Sequence, residues 1–267
     1  MDNLLAGKII IVTGSRRGIG KGCVESLLKA GACVIGCAKG EEVNSDTLDH
    51  KKSDAPSNKY FYVKCDISDP SQIESFIRLV GEHFGRIDCL VNNAGVHPPT
   101  LPIDDFSVND FVNILHTNLI SIFVACKAAL PYLRKNLGSI INMGSAVGKY
   151  GQEGATIYCA TKGGISAFTK ALAIDEAKYG VRANVILPGA ILTPSTYEWA
   201  SVFQDPESKI REIDRWSWLN RQGEVGEVGD AVVFLASKMS SYITGHELLI
   251  TGGIELGYGI KAPAERG

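Results

Sequence analysis

The sequence predicts a doubly wound α/β fold, with one parallel sheet of about seven strands and helices on both faces. Short apolar runs alternate with helical patterns along nearly the whole chain, which is the order that a parallel sheet with crossover helices requires. A chain of 267 residues with 45% hydrophobic and 21% charged residues suits one soluble domain with a substantial core. No internal repeat or low-complexity linker divides it, so we expect a single domain over residues 1–267.

Seven short segments have the composition of buried strands, being apolar and rich in β-branched residues. They are residues 9–12, 34–37, 60–64, 89–92, 139–143, 183–187 and 248–251. The polar stretch 39–58 weakens the second helix, and we expect a short helix and a mobile loop there. Residues 193–222 form an aromatic-rich insertion between the sixth strand and the last helix, for which we expect a substrate lid, with packing against the core as the alternative.

The first strand leads into a glycine-rich turn, residues 13–20, and then into a helical pattern. Glycines between a strand and a helix let backbone N–H groups approach a phosphate, and the helix dipole favours its negative charge. A tight turn without a ligand is the alternative, but the strand before and the helix after favour a dinucleotide site in a Rossmann fold. The predicted contacts are Gly14, Arg16, Arg17, Gly18, Ile19 and Gly20.

The end of the second strand favours a dinucleotide that carries a 2′-phosphate. An acidic residue there usually binds the ribose 2′-hydroxyl and repels a 2′-phosphate, whereas this chain has Ala38 followed by Lys39. The loss of a carboxylate, together with the cations Lys39, Arg16 and Arg17, favours a phosphate. Solvated surface charges are the alternative for these side chains. We therefore expect NADP(H), with NAD(H) as the alternative.

A proton-transfer site is predicted around Tyr158 and Lys162, which lie four residues apart and so share one face of a helix. A phenol has a pKa of about 10, and a nearby ammonium would lower that pKa by stabilising the phenolate. Ser145, one short segment upstream, can bind the same substrate oxygen. An ordinary amphipathic helix would also place Tyr and Lys at this spacing, so the dinucleotide motif gives the pair its significance.

Several ordered motifs together resemble the short-chain dehydrogenase/reductase family along nearly the whole chain. The matching segments are TGSRRGIG at 13–20, CDI around Asp66, NNAG at 92–95, TNL around Asn118, INMGS ending at Ser145, YCATK at 158–162, and Pro188-Gly189 followed by Thr193. Within the family, the segments NNAGVHPP, PYLRK, KALAIDEAKYGVR and TGGIELGYG are similar to 17β-hydroxysteroid dehydrogenases.

The resemblance implies a role for each matching residue. Tyr158 would be the general acid/base, Lys162 would lower its pKa and hold the nicotinamide ribose, and Ser145 would bind the reacting oxygen. Asn118 would support a proton path to Lys162, with a locally satisfied polar residue at a helix kink as the alternative. The further cofactor contacts that it implies are Asp66, Ile67, Asn92, Ala94, Gly95, Pro188, Gly189, Ile191 and Thr193.

The substrate side is less well determined by the sequence. His97 and Gln152 could bind polar substrate groups, Trp199 could contribute to an apolar lid, and Tyr258 could reach a neighbouring subunit's pocket. The resemblance implies a hydroxysteroid as the leading substrate of an alcohol/ketone oxidoreductase. The alternatives are an aldose such as L-fucose or another small secondary alcohol, a 3-oxoacyl thioester, and a catalytically silent dinucleotide-binding sensor.

Composition argues against several other classes of protein. The net charge of −2 gives no basic field for nucleic acid, and we expect neither a secretory signal nor a segment as long as a membrane span. The seven cysteines are scattered without a CxxC pair, so we expect no metal site, and reduced thiols fit a cytoplasmic location. The family resemblance implies a homotetramer, and small residues beside Tyr158 would allow helices to pack closely.

Overall fold

In the computed structural model, which describes residues 3–41, 46–47 and 56–256, eight strands form one parallel sheet. The strands are β1 (Ile9–Thr13), β2 (Cys33–Ala38), β3 (Asp46–Thr47), β4 (Tyr60–Lys64), β5 (Cys89–Asn92), β6 (Ser139–Met143), β7 (Arg182–Pro188) and β8 (Glu247–Ile250). Their order is β3-β4-β2-β1-β5-β6-β7-β8, so the chain leaves β1 first towards β2 and later towards β5. This reversal opens a crevice at the carboxyl ends of β1 and β5.

The doubly wound α/β fold and its seven strands are confirmed, with strand boundaries within one residue of those predicted. The sheet has one strand more because β3 has only two residues, too few to carry a periodic signal. It pairs with Phe61 and Tyr62 of β4 at the edge of the sheet. The short helix predicted within residues 39–58 falls mainly outside the described residues, and the described part contains β3.

Nine α-helices cover the two faces of the sheet within the described residues. They are α1 (Gly18–Lys29), α2 (Pro70–Phe84), α3 (Val108–Leu115), α4 (Ser121–Asn136), α5 (Val147–Tyr150), α6 (Thr156–Ala177), α7 (Pro194–Ala200), α8 (Pro206–Asp214) and α9 (Val225–Ala236), with 3₁₀ turns at Ile103–Asp105 and Lys238–Ser240. Local sequence sets the ends of α2, where the Asp69 carboxylate accepts from Ser71 N and Gly85 ends the helix at φ +67°.

Strand alternation divides the core into two apolar clusters. Ile9 and Ile11 of β1 pack on the face covered by α2, α4 and α6, whereas Ile10 and Val12 pack on the face covered by α1 and α9. Because helices cover both faces of the sheet, almost every residue of the central strands is buried. This explains why these strands are continuous apolar runs in the sequence.

A π-helical turn, His116–Ile120, joins α3 to α4 into one helix of 29 residues, Val108–Asn136. By length and composition this helix is apolar enough to cross a membrane, so the expectation that no segment reaches that length was wrong. The polar residues of the π turn concealed its continuity. It is a core helix of this fold, since Ala125, Ala129 and Leu133 are buried against the sheet.

The aromatic-rich insertion, residues 193–222, contains α7 and α8 and begins and ends at one place on the sheet. Leu192 N donates to Gly223 O at 2.8 Å, and Gly223 N donates to Ala190 O at 3.0 Å. Trp218 N donates to Gly252 O at 2.9 Å and attaches the insertion to the end of β8. These contacts hold α7 above the carboxyl edge of the sheet.

Candidate active site

A cleft of about 880 Å³ lies at the carboxyl edge of the sheet, where the ends of parallel strands meet. It brings together most of the residues that the sequence predicted for the site. Those that line it are Gly14, Arg16, Arg17, Gly18, Ile19, Gly20, Ala38, Lys39, Asp66, Ile67, Ala94, Gly95, His97, Ser145, Tyr158, Lys162, Pro188, Gly189 and Thr193. The topology therefore gathers segments that are more than 170 positions apart into one site.

The glycine turn is held against β5 by a side chain that sequence reasoning missed. Asn93 donates through Nδ2 to the carbonyls of Thr13 at 2.9 Å and Gly14 at 3.2 Å. Thr13 Oγ1 accepts from the backbone N–H groups of Asn93 and Ala94, each at 3.1 Å. The NNAG motif was the available signal, but the resemblance pointed to its first Asn and the turn is held by the second.

The cradle formed by the turn fits a dinucleotide phosphate. Gly14 and Gly18 adopt φ +67° and +55°, and a Cβ on Gly20 would lie 2.1 Å from Gly14 O, so side chains are excluded there. Arg17 precedes α1 in extended conformation, and no described side chain caps this helix. Its first backbone N–H groups are therefore available to an anion.

The end of the cleft next to β2 carries two cations beside Ala38, where the sequence analysis expected the adenosine ribose. Lys39 Nζ lies 2.9 Å from Asp66 Oδ2, and this hydrogen-bonded ammonium holds the pKa of the Asp66 carboxyl below its usual range. Arg16 lies against Gly40 and donates from Nη1 to Glu41 O at 3.3 Å. The predicted phosphate-binding Lys39 and the predicted adenine contact Asp66 are thus paired with each other.

Arg17 faces a different part of the cleft from Arg16. Its Nη2 donates to Ser195 Oγ and to Glu198 Oε2 on α7, both at 2.7 Å. Its guanidinium therefore contacts the insertion, whereas the sequence analysis grouped it with Lys39 as a cation for the 2′-phosphate. Nothing local in the sequence reveals this partner, because Glu198 lies 181 positions along the chain.

Tyr158, Ser145 and Lys162 meet at the base of the cleft, but their electrostatics differ from the sequence prediction. Burial raises the pKa of Tyr158 to about 12, against the opposing effect of the hydrogen bond to Ser145. Burial also lowers the pKa of Lys162 to about 8. Lys162 Nζ donates to Met143 O at 2.9 Å and lies 5.6 Å from the centre of the Tyr158 ring. The sequence analysis expected a nearby ammonium to lower the phenol pKa, whereas in this arrangement desolvation of the phenol has the larger effect.

Asn118 lies in the π turn beneath the cleft and is only 1% exposed. Its Oδ1 accepts from Val96 N, and its Nδ2 donates to Val96 O, both at 2.9 Å. Nδ2 also lies 3.3 Å from Thr161 Oγ1, next to Lys162. These contacts fix the chain after the NNAG motif, as in the locally satisfied alternative that the sequence left open.

Within the described part of the chain, five predicted site residues lie outside the cleft lining: Asn118, Gln152, Asn92, Ile191 and Trp199. Asn92 points into the core, where its Nδ2 donates to Asn142 Oδ1 at 2.8 Å, and Ile191 is buried in the apolar cluster beneath α1 and α9. Trp199 is 44% exposed on α7 and packs on Phe203 with ring centres 4.9 Å apart. Strand alternation explains Asn92, since neighbouring residues of a strand face opposite ways. Tyr258 lies outside the described residues.

Two predicted substrate residues meet beside Tyr158 at the open end of the cleft. The ring of His97 packs on that of Tyr158 with centres 4.2 Å apart, and its Nδ1 donates to Pro98 O at 2.6 Å. His97 Nε2 lies 3.4 Å from Gln152 Oε1. Gln152 does not line the cleft itself, but it contacts His97, which does. Both side chains are exposed and polar, so this entrance can bind hydroxyl groups.

Comparison with known proteins finds similarity along almost the entire chain. A family profile described as enoyl-(acyl carrier protein) reductase matches residues 14–255. L-fucose dehydrogenase from Bos taurus is 44% identical over 99% of this chain and 97% of that protein. A 3-oxoacyl-(acyl-carrier-protein) reductase from Haemophilus influenzae is 39% identical over 94% of this chain and 100% of its own length. The ligand-free structure of Thermoplasma acidophilum aldohexose dehydrogenase superposes with a TM-score of 0.87, at 30% identity over 99% of this chain and 100% of that one.

These similarities help to decide between the two substrate classes expected from the sequence, a hydroxysteroid and an aldose. Several of these relatives are sugar dehydrogenases, and they do not support the particular likeness to 17β-hydroxysteroid dehydrogenases that four segments suggested. They favour the aldose alternative over the leading hydroxysteroid expectation. The reaction class is the same in both cases, because each would oxidise a CH–OH group.

Proposed function

This chain belongs to the short-chain dehydrogenase/reductase family, and on that premise we propose that it is an aldose dehydrogenase acting on L-fucose or a related sugar. The observation that carries this proposal is 42–44% identity to L-fucose dehydrogenases of several mammals over almost the whole chain. The structural match to an aldohexose dehydrogenase supports the same substrate class. A nicotinamide dinucleotide would supply the hydride acceptor or donor.

The entrance of the cleft suits a sugar better than a steroid. A sugar presents several hydroxyl groups, and His97 and Gln152 offer donors and acceptors beside Tyr158. A steroid needs a continuous apolar wall, but Trp199 packs on Phe203 at the surface of α7 and does not line the cleft. The polar side chains at this end of the cleft thus support the relatives' substrate class.

The residues at the base of the cleft would handle the proton of the reacting hydroxyl. Ser145 Oγ and the Tyr158 phenol are hydrogen-bonded and can hold the same substrate oxygen. With a phenol pKa of about 12, Tyr158 is protonated near neutrality and serves directly as the general acid when a carbonyl is reduced. In the oxidative direction, Lys162, whose pKa is about 8, provides positive charge that favours proton loss from the phenol. Pro188, Gly189 and Thr193 would border the nicotinamide.

NADP(H) is the proposed cofactor, with NAD(H) as the alternative. Arg16 and Lys39 flank Ala38, where a carboxylate that would repel a 2′-phosphate is missing. Because Lys39 already pairs with Asp66, a 2′-phosphate would have to share its ammonium with a carboxylate. The proposed preference for NADP(H) over NAD(H) therefore depends more on Arg16 than on Lys39.

The cellular setting and the organisation of the chain are further parts of the proposal. All seven cysteines are free thiols and six are buried, which fits a reducing cytoplasm. The chain would act as one dinucleotide-binding and catalytic domain over residues 1–267, with the insertion 193–222 as its lid. We expect it to work as a homotetramer without nucleic-acid or membrane partners.

A 3-oxoacyl-thioester reductase is the second candidate function, because the Haemophilus influenzae reductase is 39% identical over its full length. Turnover of a panel containing L-fucose, other aldoses, a 17β-hydroxysteroid and a 3-oxoacyl thioester, with both cofactors, separates the candidates. We expect the highest kcat/KM with L-fucose or a close aldose. Preference for the thioester would replace the proposal, and no turnover of any compound would favour a silent dinucleotide-binding sensor.

A further inference from the structure

Arg17 connects two walls of the cleft that are far apart in the sequence. It lies at the start of α1, beside the turn that would hold the cofactor phosphates, and its Nη2 donates to Ser195 and Glu198 of α7 at 2.7 Å. Arg17 and Ser195 both line the cleft. The guanidinium therefore links the start of α1, next to the glycine turn, to α7.

The start of α7 also packs on this turn. A Cβ on Gly18 would lie 3.6 Å from Thr193 Cγ2, which is ordinary contact distance, and Thr193 is the residue that precedes α7. The insertion is attached to the sheet at both ends, through Leu192 and Gly223 and through Trp218 and Gly252. Arg17 adds a contact between these attachments, from the start of α1 to the body of α7.

We propose that the Arg17–Glu198 ion pair, supported by Ser195, fastens α7 over the phosphate turn and slows release of the dinucleotide. Both contacts use Nη2, and no described residue accepts a hydrogen bond from Nε or Nη1, which could therefore donate to a phosphate oxygen. One side chain can in this way hold the phosphate and the lid together. The inference rests on the proposed function only for the cofactor class, a nicotinamide dinucleotide.

A competing arrangement makes the opposite prediction. If Glu198 merely occupied Arg17 in the absence of cofactor, removing its charge would free the guanidinium for the phosphate and tighten binding. If the ion pair fastens the lid, removing the charge speeds release. The Arg17 and Glu198 side chains are 51% and 61% exposed, so the effect is modest and screened by salt.

The test is the dissociation rate of NADPH and NADH, measured without sugar by stopped-flow displacement and nicotinamide fluorescence. Glu198→Gln should release the reduced cofactor about two- to fivefold faster than the wild type at low salt, as expected for the loss of an exposed ion pair. Added salt should raise the wild-type rate more than the variant's. Glu198→Gln/Ser195→Ala should release the cofactor at least as fast as the single variant.

Glu212→Gln is the matched control, because Glu212 pairs with Lys209 at 2.7 Å within α8 and does not contact the glycine turn. It makes the same charge change in the same insertion and should leave the release rate unchanged. An unchanged or slower rate in Glu198→Gln, or the same acceleration in Glu212→Gln, would overturn the inference. Failure of the wild type to bind either cofactor would overturn the proposed function as well.

Discussion

At the scale of single residues, burial sets the pKa values of Tyr158 and Lys162, the proposed catalytic pair. Away from water, the charged forms of both side chains, a phenolate and an ammonium, are disfavoured. Burial therefore raises the pKa of Tyr158 to about 12 and lowers that of Lys162 to about 8. Spacing in the sequence brought the two side chains to one helix face. Their protonation depends on the walls around them, which other segments supply.

Tyr158→Phe should lower turnover by about 10²–10⁴-fold, the range expected for loss of a general acid/base. The phenyl ring keeps the contact with His97, so the fold and the cofactor affinity should change little. Steady-state kinetics with the best sugar substrate, together with cofactor titration, measures both effects. Near-normal turnover would contradict the assignment of Tyr158 as proton donor.

Lys162→Met should change the dependence of stability on pH in a defined window. Because burial lowers the Lys162 pKa from 10.5 to about 8, the unfolded chain holds the proton more strongly between those values. The wild type therefore becomes more stable as pH rises from about 8 to about 10.5, by about 3 kcal/mol from this group. The variant lacks this contribution.

Urea unfolding of both proteins at about pH 7.5 and about pH 10.5, on either side of this window, gives the free energy of unfolding of each. The quantity to compare is the gap in free energy of unfolding between wild type and variant, and how it changes with pH. The other titrating groups are common to both proteins and cancel in this gap. A gap that stays constant with pH would show that Lys162 does not titrate in this range.

Ala38→Asp should narrow or invert the preference between NADPH and NADH, because a carboxylate would face the 2′-phosphate. Arg16→Ala should weaken NADPH more than NADH, since Arg16 lies on this side of the cleft. Each substitution should change the binding free energy of NADPH relative to NADH by about 1–3 kcal/mol, the range for a charge-assisted hydrogen bond. Fluorescence titration of both cofactors decides the matter, and tighter binding of NADH by the wild type would refute the proposed preference.

At the scale of elements, the glycine turn and the insertion form opposite walls of the cleft. The turn is rigid because Asn93 ties it to β5 and because close contacts exclude side chains at Gly14 and Gly20. The insertion contacts the turn through Arg17 and Thr193. One wall is therefore fixed by backbone packing, whereas the other is held by exposed polar contacts that salt can weaken.

Gly20→Ala should abolish most cofactor binding, because its Cβ would lie 2.1 Å from Gly14 O and would displace the turn. Gly226→Ala in α9 is the matched control: its Cβ would meet nothing within 4 Å, and alanine is the better helix former. The control should bind cofactor normally and unfold at the same or a slightly higher temperature. Normal cofactor affinity in Gly20→Ala would contradict the proposed phosphate cradle.

At the scale of the whole molecule, apolar surface on neighbouring helices remains exposed. Phe123 of α4 and Phe168 of α6 form an outward aromatic pair with ring centres 6.5 Å apart, and Val108 and Ile174 are exposed on α3 and α6. Solitary exposed apolar residues are common, but a group of this kind on adjacent helices favours burial against another subunit.

The proposed homotetramer should give a mass near four times the 28.7 kDa of one chain by multi-angle light scattering. Phe123→Asp should shift the protein to a smaller species, since a buried unpaired carboxylate would destabilise an interface that covers this side chain. Ser241→Asp, at an exposed position on the α9–β8 connection, is a charge-matched control to compare with it. A clean monomer of the wild type at micromolar concentration would refute the assembly.

Local patterns in the sequence predicted much of the site. The apolar runs gave the strands, and the glycine turn, NNAG, Ser145 and the Tyr158–Lys162 pair all lie at the cleft or directly beside it. Trp199 and Ile191 were misplaced because composition gives the type of a residue but not the direction in which it points. Asn93 was missed because its partners are backbone carbonyls of a segment 80 positions earlier.

The sequence by itself determined the α/β class, the parallel sheet with helices on both faces and the dinucleotide motif, and it supplied the residues proposed for proton transfer. These follow from period, spacing and residue type, which are local. The tertiary structure alone decided that Lys39 pairs with Asp66, that Arg17 pairs with Glu198, and that burial raises the pKa of Tyr158 while lowering that of Lys162. Ion pairing and desolvation depend on which distant segments surround a group, and only the folded chain brings those segments together.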